Sequence, residues 1–233
     1  MKFAIIAAGE GSRLAQEGVK QPKPLVSLHG EAIVERLIKI FSRYNANSIS
    51  IIINNQQPQT LELLEKLSKE YTLNIVVKDT PSSMHSLYEL RDCLKGGKFC
   101  LTTVDTIFRE DEFANYINTF ESSEDSGLMA VTQYIDDEKP LYVGTDVTMN
   151  ITGFYDTPHS DSRHISGGIY GLNDKALDTL TRCIEQGQSR MRNFQRQLIA
   201  DGVKLKAYEF GKIIDIDHAS DIEKAEELIS NYQ

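Results

Sequence analysis

Short apolar segments alternate with segments of helical periodicity along most of the chain, and this alternation limits the possible folds more than any other feature. The first segment, residues 3–8, reads Phe-Ala-Ile-Ile-Ala-Ala, and similar segments follow at 48–53, 73–77, 99–104 and 127–134. Strands that lack a polar face are typical of parallel sheets covered on both faces. The sequence therefore predicts an α/β protein.

Residues 31–44, 58–71, 83–95 and 110–120 have the spacing of amphipathic helices, one between each pair of predicted strands. Strands joined by single helices favour an open, mostly parallel sheet with right-handed crossovers. We therefore expect a Rossmann-like, three-layer α/β/α arrangement, with residues 1–233 forming a single domain.

The alternation stops at residues 135–165, where we expect a β-rich insertion over one end of the sheet. Ile169 and Tyr170 begin a return to the sheet. Helices are predicted over 173–186, 188–201 and 218–230, and a strand over 203–209.

Composition excludes several classes of protein. The net charge is −9, which disfavours binding to nucleic acid, and no run approaches the 18 apolar residues of a membrane span. The amino terminus enters a predicted strand without the pattern of a signal peptide. The three cysteines include no C-x-x-C pair, so we expect neither a disulfide framework nor a structural zinc. Together these features predict a cytoplasmic protein without a membrane span.

A glycine-rich loop follows the first predicted strand. Residues 7–14 read Ala-Ala-Gly-Glu-Gly-Ser-Arg-Leu, and residues 21–25 read Gln-Pro-Lys-Pro-Leu. Ligands of open α/β sheets bind beyond the carboxyl ends of strands, and backbone N–H groups beside Gly9 and Gly11 can point at an anion. Arg13 adds a fork of donors, and the flanking prolines restrict the backbone around Lys23.

Two familiar nucleotide-binding loops fit this segment poorly. A dinucleotide-binding G-x-G-x-x-G motif has glycine where this chain has Leu14, and Pro22 and Pro24 would break the helix that follows it. A Walker loop, G-x-x-x-x-G-K-[ST], is absent. From the residues alone, a tight turn between strand and helix remains an alternative to an anion site.

Two aspartates follow apolar segments at positions where a sheet would direct them toward this loop. Asp105 follows residues 99–104, and Asp217 closes the segment Ile-Ile-Asp-Ile-Asp at 213–217. Carboxylate oxygens suit Mg²⁺, the usual companion of a triphosphate, but an aspartate in this position is often a helix cap. Asp215 lies on the same face as Asp217 and is the rival ligand.

These motifs resemble those of nucleotidyltransferases of the sugar-phosphate and phosphocholine type. Residues 6–13 and 22–25 are similar to the opening pattern L-A-A-G-x-G-x-R followed by P-K-x-L, and residues 216–226 are similar to I-D-x-x-x-D-[LI]-x-x-A-E. The resemblance implies a GT-A-like nucleotidyltransferase fold. It also implies roles for individual residues: nucleotide binding by Ala8, Gly9 and Gly11, catalysis by Arg13 and Lys23, and Mg²⁺ binding by Asp105 and Asp217.

Further residues follow from the same resemblance. Ser82 and Ser83 are candidates for contact with the base, with a helix cap as the competing role, and the segment ending Ser-Leu-Tyr at 86–88 resembles the cytidylyl branch. Gly167 and Gly168 resemble the acceptor-side turn, with a plain turn as the alternative.

The basic residues of 188–206 form either a solvated helix face or a docking surface for an anionic acceptor.

The implied activity is Mg²⁺-dependent transfer of a nucleotidyl group from CTP or UTP to a phosphorylated small-molecule acceptor, with release of pyrophosphate. A sugar or polyol phosphate is the expected acceptor. Phosphocholine is the alternative, because Tyr134, Tyr142, Tyr155 and Tyr170 could line a cage although the chain has no Trp. A non-catalytic nucleotide-binding regulatory domain is the rival from another class.

Overall fold

The computed structural model describes residues 1–44, 46–136 and 138–230; Asp137 of the predicted insertion and the last three residues of the predicted domain lie outside them. The strands are β1 (Lys2–Ala7), β2 (Ser27–Leu28), β3 (Glu31–Ala32), β4 (Ile49–Ile53), β5 (Leu73–Val77), β6 (Phe99–Thr103), β7 (Thr106–Ile107), β8 (Gly127–Thr132), β9 (Tyr142–Thr145), β10 (Ile151–Tyr155), β11 (Ser162–Leu172), β12 (Leu205–Phe210) and β13 (Ile214–Asp215). The α-helices are α1 (Ser12–Gln16), α2 (Ile33–Arg43), α3 (Pro58–Leu67), α4 (Ser83–Leu94), α5 (Glu110–Ser122), α6 (Asp174–Glu185), α7 (Met191–Ala200) and α8 (Ala219–Ser230).

The central sheet is mostly parallel on the side that carries the amino-terminal strands. The order of strands is β10-β9-β11-β6-β1-β4-β5, and β8 pairs with β11 and with β12. Strand β1 is parallel to both β4 and β6, and β4 is parallel to β5. The carboxyl ends of these four strands therefore meet at one edge, as the sequence predicts.

Strand β11 departs from the predicted pattern. It runs antiparallel between β6 and β8 and spans eleven residues, so the chain returns to the sheet at Ser162 rather than at Ile169. The pairing with β8 shifts register between Ser166 and Tyr170, where Gly167 and Gly168 form a bulge inside the strand. The glycine pair is typical of a turn in sequence, but here it bends a continuous strand.

Helices cover both faces of the sheet. The side chains of β1 point alternately to the two faces and so enter two different cores. Phe3 and Ile5 face a core that includes side chains of α2, α3, α5 and α8, whereas Ala4 and Ile6 face a second core built with α4, α6 and α7. Strands buried on both sides need helices on both sides, because each face must be removed from water. The three-layer α/β/α class is confirmed.

The predicted insertion supplies β9 and β10, which continue the sheet beyond β11. All three cysteines are free thiols. Within the described ranges, no helix combines the length and the apolar character that crossing a membrane requires.

Candidate functional site

The glycine-rich loop leaves the carboxyl end of β1 and turns into the short helix α1. Gly11 has a φ of +63°, a conformation that side chains disfavour, and a Cβ at this position would lie 3.4 Å from Cβ of Lys23. The glycine therefore serves two needs at once. It makes the left-handed turn before α1, and it lets the backbone pass close to Lys23.

Two amides from the end of β4 hold the carbonyl groups of this loop. Asn54 Nδ2 donates to the carbonyl oxygen of Ala8 at 3.2 Å. Gln57 Nε2 donates to the carbonyl oxygens of Ala7 at 3.3 Å and of Gly9 at 3.2 Å. These hydrogen bonds fix the carbonyl groups of the loop on partners that do not line the loop cleft described below. Neither amide belongs to a sequence motif, although the predicted parallel pairing of β1 and β4 places both at the same edge of the sheet.

Lys23 joins the two predicted carboxylates. Its Nζ donates to Oδ2 of Asp105 at 2.7 Å and to Oδ1 of Asp217 at 2.8 Å. Arg13 donates through Nη1 to the other oxygen of Asp217 at 2.7 Å. The four residues that the sequence singled out across more than 200 positions thus form one continuous ion network.

A small ladder explains why the two aspartates meet. Strand β7, directly after Asp105, pairs antiparallel with β13, which ends two residues before Asp217. The backbone N–H of Ile216 also donates to the carbonyl oxygen of Asp105 at 3.1 Å. Asp221 accepts from the backbone N–H groups of Asp217 and His218, which fixes the start of α8.

Opposite charges set the protonation of this network. Burial alone would lower the pKa of Lys23, but the charges of Asp105 and Asp217 outweigh burial and raise that pKa. Burial acts on Asp217 in the opposite sense, but Lys23 and Arg13 hold the pKa of Asp217 below its ordinary value. Lys23 and Asp217 are therefore both charged at neutral pH.

Asp215 stands beside this network rather than in it. Its Oδ1 accepts from Thr106 Oγ1 at 3.0 Å, and Thr106 is hydrogen bonded to Thr103 at 2.7 Å. The protein atoms packed around its carboxyl group raise the pKa of Asp215, and repulsion from Asp105 is the second cause. The residue is nevertheless exposed to solvent at the surface. A bound cation nearby would favour its ionised form.

Two clefts meet at Asp105. The first, the loop cleft, has a volume of about 420 Å³, and its lining includes Ala8, Gly9, Gly11, Lys23, Ser82, Ser83 and Asp105. The second, the helix cleft, has a volume of about 310 Å³, and its lining includes Ser83, Asp105, Ser166, Gly168, Tyr170, Arg190, Arg192, Gln195, Asp215 and Asp217. The structure therefore gathers the predicted loop residues in one cleft and brings the predicted carboxylates to its junction with the other.

Ser82 links the two clefts. Its Oγ lies 2.9 Å from Nδ1 of His85 and accepts from the backbone N–H of Arg190 at 3.2 Å. Arg190 has a φ of +71°, which few residues other than glycine adopt. Its guanidinium is exposed and has no carboxylate partner among the described residues. The start of α7 is thereby tied to the loop that precedes α4.

The predicted glycine pair has packing reasons of its own. A Cβ on Gly167 would lie 2.3 Å from Cδ1 of Ile213, and a Cβ on Gly168 would lie 2.7 Å from Oγ1 of Thr106. Gly168 also has a φ of +74°. Gly168 lines the helix cleft, whereas Gly167 lines a neighbouring pocket with Arg13 and Asp217.

The basic residues of α7 are only partly neutralised. Arg192 and Arg196 both pair with Asp156 of the segment after β10, at 2.6 and 2.7 Å. Arg190 and Arg192 also line the helix cleft. The helix cleft therefore has mixed charge, with Arg190 and Arg192 at the start of α7 and three aspartates, Asp105, Asp215 and Asp217, in its lining.

The carboxylates of the network have the chemistry that a divalent cation requires. No cluster of three or more His, Cys, Asp or Glu side chains with metal-binding geometry occurs in the described part of the chain. However, one oxygen each of Asp105 and Asp217 converges on the same ammonium of Lys23, which stands where a cation is stabilised. Hard oxygen ligands of this kind, completed by phosphate and water, suit Mg²⁺.

Similarity to known proteins covers nearly the whole chain. The family model described as Nucleotidyl transferase matches residues 2–230. A curated relative, the mannose-1-phosphate guanyltransferase of Schizosaccharomyces pombe, is 28% identical over 191 residues, which cover 77% of this chain and 52% of that protein. The chain spans about half the length of the first curated relatives it matches.

Two solved structures share the fold. The inositol-1-phosphate CTP transferase from T. maritima has a TM-score of 0.82 at 17% identity, covering 98% of this chain and 94% of the other. A putative glucose-1-phosphate thymidylyltransferase from Bacillus anthracis has a TM-score of 0.86 at 18% identity, covering 100% and 96%. The family match, over a chain with this GT-A-like Rossmann fold, identifies the protein as a member of the nucleotidyl transferase family.

Proposed function

We propose that this protein transfers a nucleotidyl group from CTP or UTP to a sugar or polyol phosphate in a Mg²⁺-dependent reaction that releases pyrophosphate. The observation that carries the proposal is the position of Lys23, whose ammonium joins Asp105 and Asp217 where the loop cleft meets the helix cleft. Two adjacent clefts with charged groups at their junction suit two phosphorylated substrates that react with each other.

The loop cleft would hold the triphosphate. Gly9, Gly11 and Lys23 line this cleft, and Arg13 is joined to Lys23 through Asp217, so the loop's backbone N–H groups and these two cations would bind the phosphate oxygens. An oxygen of the acceptor phosphate attacks the α-phosphorus as the bond to the pyrophosphate oxygen breaks. Arg13 and Lys23 stabilise the negative charge that develops on the leaving pyrophosphate.

Asp105 and Asp217 would hold the metal ion. When bound, Mg²⁺ supplies charge neutralisation at the phosphates of the donor and the acceptor. For the carboxylates to do this, Lys23 must exchange its carboxylate partners for phosphate oxygens. The ion network of the structure is thus the resting arrangement of groups that the substrates would separate.

The helix cleft would hold the acceptor. Arg190 and Arg192 favour an anionic ligand, and Gly168 lies in the same wall. The four tyrosines that could form a cage for choline do not converge. Tyr170 lines the helix cleft, Tyr142 and Tyr134 line two other pockets, and Tyr155 stacks on His159 at 4.3 Å. A hydroxylated phosphate therefore suits the cleft better than phosphocholine.

A pyrimidine donor is supported by the segment 82–88 and by the name of one structural neighbour, a CTP transferase that acts on inositol 1-phosphate. Ser82 and Ser83 lie in the wall of the loop cleft, where a base would be held. We also propose a cytoplasmic location, with which the three free thiols agree.

A screen for pyrophosphate release tests this function. The four ribonucleoside triphosphates are combined with sugar 1-phosphates, polyol phosphates and phosphocholine, with and without MgCl₂. We expect release with CTP or UTP, with a hydroxylated phosphate, and only with MgCl₂ present. Faster turnover with ATP or GTP would refute the donor, and a preference for phosphocholine would refute the acceptor. Binding of nucleotide without release in any combination would favour a regulatory domain.

A further inference from the structure

Gln195 is a buried amide in the wall of the helix cleft. It lies on α7, it is only 2% exposed, and its neighbours in the helix, Phe194 and Leu198, are core residues. An apolar side chain would suit this environment, because a buried polar group destabilises the fold unless it has a partner. Its presence calls for a partner.

The protein supplies a partner for only one end of the amide. Ser166 Oγ donates to Oε1 of Gln195 at 3.3 Å. No described residue accepts a hydrogen bond from Nε2, and Nε2 is not sealed from solvent. Since Gln195 lines the helix cleft, its two N–H donors are available to a molecule in that cleft.

The donor and acceptor groups around Gln195 match a hydroxyl group. A hydroxyl can accept from Nε2 of Gln195 and donate to a lone pair of Ser166 Oγ that Tyr170, the other hydrogen-bond partner of Ser166, leaves open. A trimethylammonium group can do neither, because it has no N–H or O–H donor and no acceptor. A carboxylate could only accept.

We propose that Gln195 is a specificity-determining residue, which selects phosphates of polyhydroxylated rings or chains by hydrogen bonding one of their hydroxyls. This inference rests on the proposed function, since it places the acceptor in the helix cleft. It adds a residue that recognises the body of the acceptor rather than its phosphate.

Two ring phosphates that differ only in their hydroxyls test the proposal. The dissociation constants of inositol 1-phosphate and cyclohexyl phosphate are measured by calorimetry, with MgCl₂ and α,β-methylene CTP present. We expect the wild-type protein to bind inositol phosphate at least about tenfold more tightly, because a site built for a hydroxyl rejects the analogue that lacks it. In Gln195→Met the same ratio should fall to within about threefold.

Gln197→Met is the matched control. Gln197 lies on the same helix, but its amide is occupied by Asp201 at 2.7 Å and by Gln188 at 3.3 Å. Its ratio should equal that of the wild type. An unchanged ratio in Gln195→Met would overturn the proposal, and so would a wild-type ratio near one, which needs no variant to fold.

The outcome separates the two proposals. Pyrophosphate release with a ratio near one would leave the transferase in place and remove Gln195 from acceptor recognition. A tenfold ratio without release from any triphosphate would support recognition by Gln195 and refute the transferase. If neither phosphate binds, the proposal for Gln195 is overturned, and the transferase is judged by pyrophosphate release alone.

Discussion

At the scale of the residue, the proposed turnover and metal binding both depend on the ion network around Lys23. Lys23→Met removes the ammonium that joins Asp105 to Asp217, and we expect kcat to fall by about 10²-fold or more, as when one preorganised donor to developing charge is lost. Lys20→Met, at an exposed position nearby, is the control. A rise in KM for the triphosphate with kcat unchanged would mean that Lys23 binds ground state and transition state equally.

The same variant reports on the metal site without any turnover. Loss of the ammonium leaves two carboxylates facing each other, and a divalent cation would relieve their repulsion. MgCl₂ should therefore raise the Tm of Lys23→Met more than that of the wild type. Equal shifts would place the cation elsewhere.

Neutral replacement of each carboxylate is the second test at this scale. Asp105→Asn and Asp217→Asn preserve shape but remove the charge that Mg²⁺ requires, so turnover should be abolished while the fold persists. Asp92→Asn, at an exposed position of α4, controls for loss of a carboxylate. Turnover within about threefold of wild type at saturating MgCl₂ would remove that aspartate from the site.

The sequence predicted these charged residues because each belongs to a motif with fixed neighbours. It did not predict Asn54, Gln57 or Gln195. The first two act on carbonyl groups that only the folded loop presents, and the third depends on which face of α7 borders a cleft. No local pattern distinguishes Gln195 from Gln197, although their partners differ entirely.

At the scale of the element, most strands and helices could be predicted from the sequence. The apolar segments form strands that are buried on both faces, and the segments of helical periodicity form the helices that cover those faces. β11 could not be predicted, since Gly167 and Gly168 interrupt it with the composition of a turn. The long-range pairing with β6 and β8 overrides that local signal. The bulge matters to the site because it places Gly168 against Thr106, which holds Asp215.

Replacing Gly168 of the bulge and Gly187 outside it by alanine, one at a time, separates the cost of backbone strain from the cost of steric conflict. Gly187 has a φ of +71° and open space where a Cβ would lie, so Gly187→Ala should lower the free energy of unfolding by about 1–2 kcal/mol. Gly168→Ala carries the same strain plus a contact of 2.7 Å with Thr106 Oγ1, so its loss should be larger. Urea unfolding measures both. Equal losses would show that Thr106 yields without cost.

At the scale of the whole molecule, the two clefts and the ion network between them make substrate and metal binding interdependent. The charges of Arg13 and Lys23 are cancelled by Asp105 and Asp217. If a triphosphate binds Arg13 and Lys23, the two aspartates lose their partners. If Mg²⁺ binds the two aspartates, the side chains of Arg13 and Lys23 lose theirs. Each ligand alone therefore bears the cost of opening the network, whereas the two together share it.

We accordingly expect CTP and MgCl₂ together to raise the Tm by more than the sum of the rises that each produces alone, because a ligand that binds only the folded state stabilises it more as its affinity increases. A matching series with CaCl₂ tests whether the effect needs a small hard cation. Asp217→Asn should reduce the excess, since its network is already partly open. Strictly additive shifts in the wild type would show that nucleotide and cation occupy independent sites, and the exchange of partners at Lys23 would then be wrong.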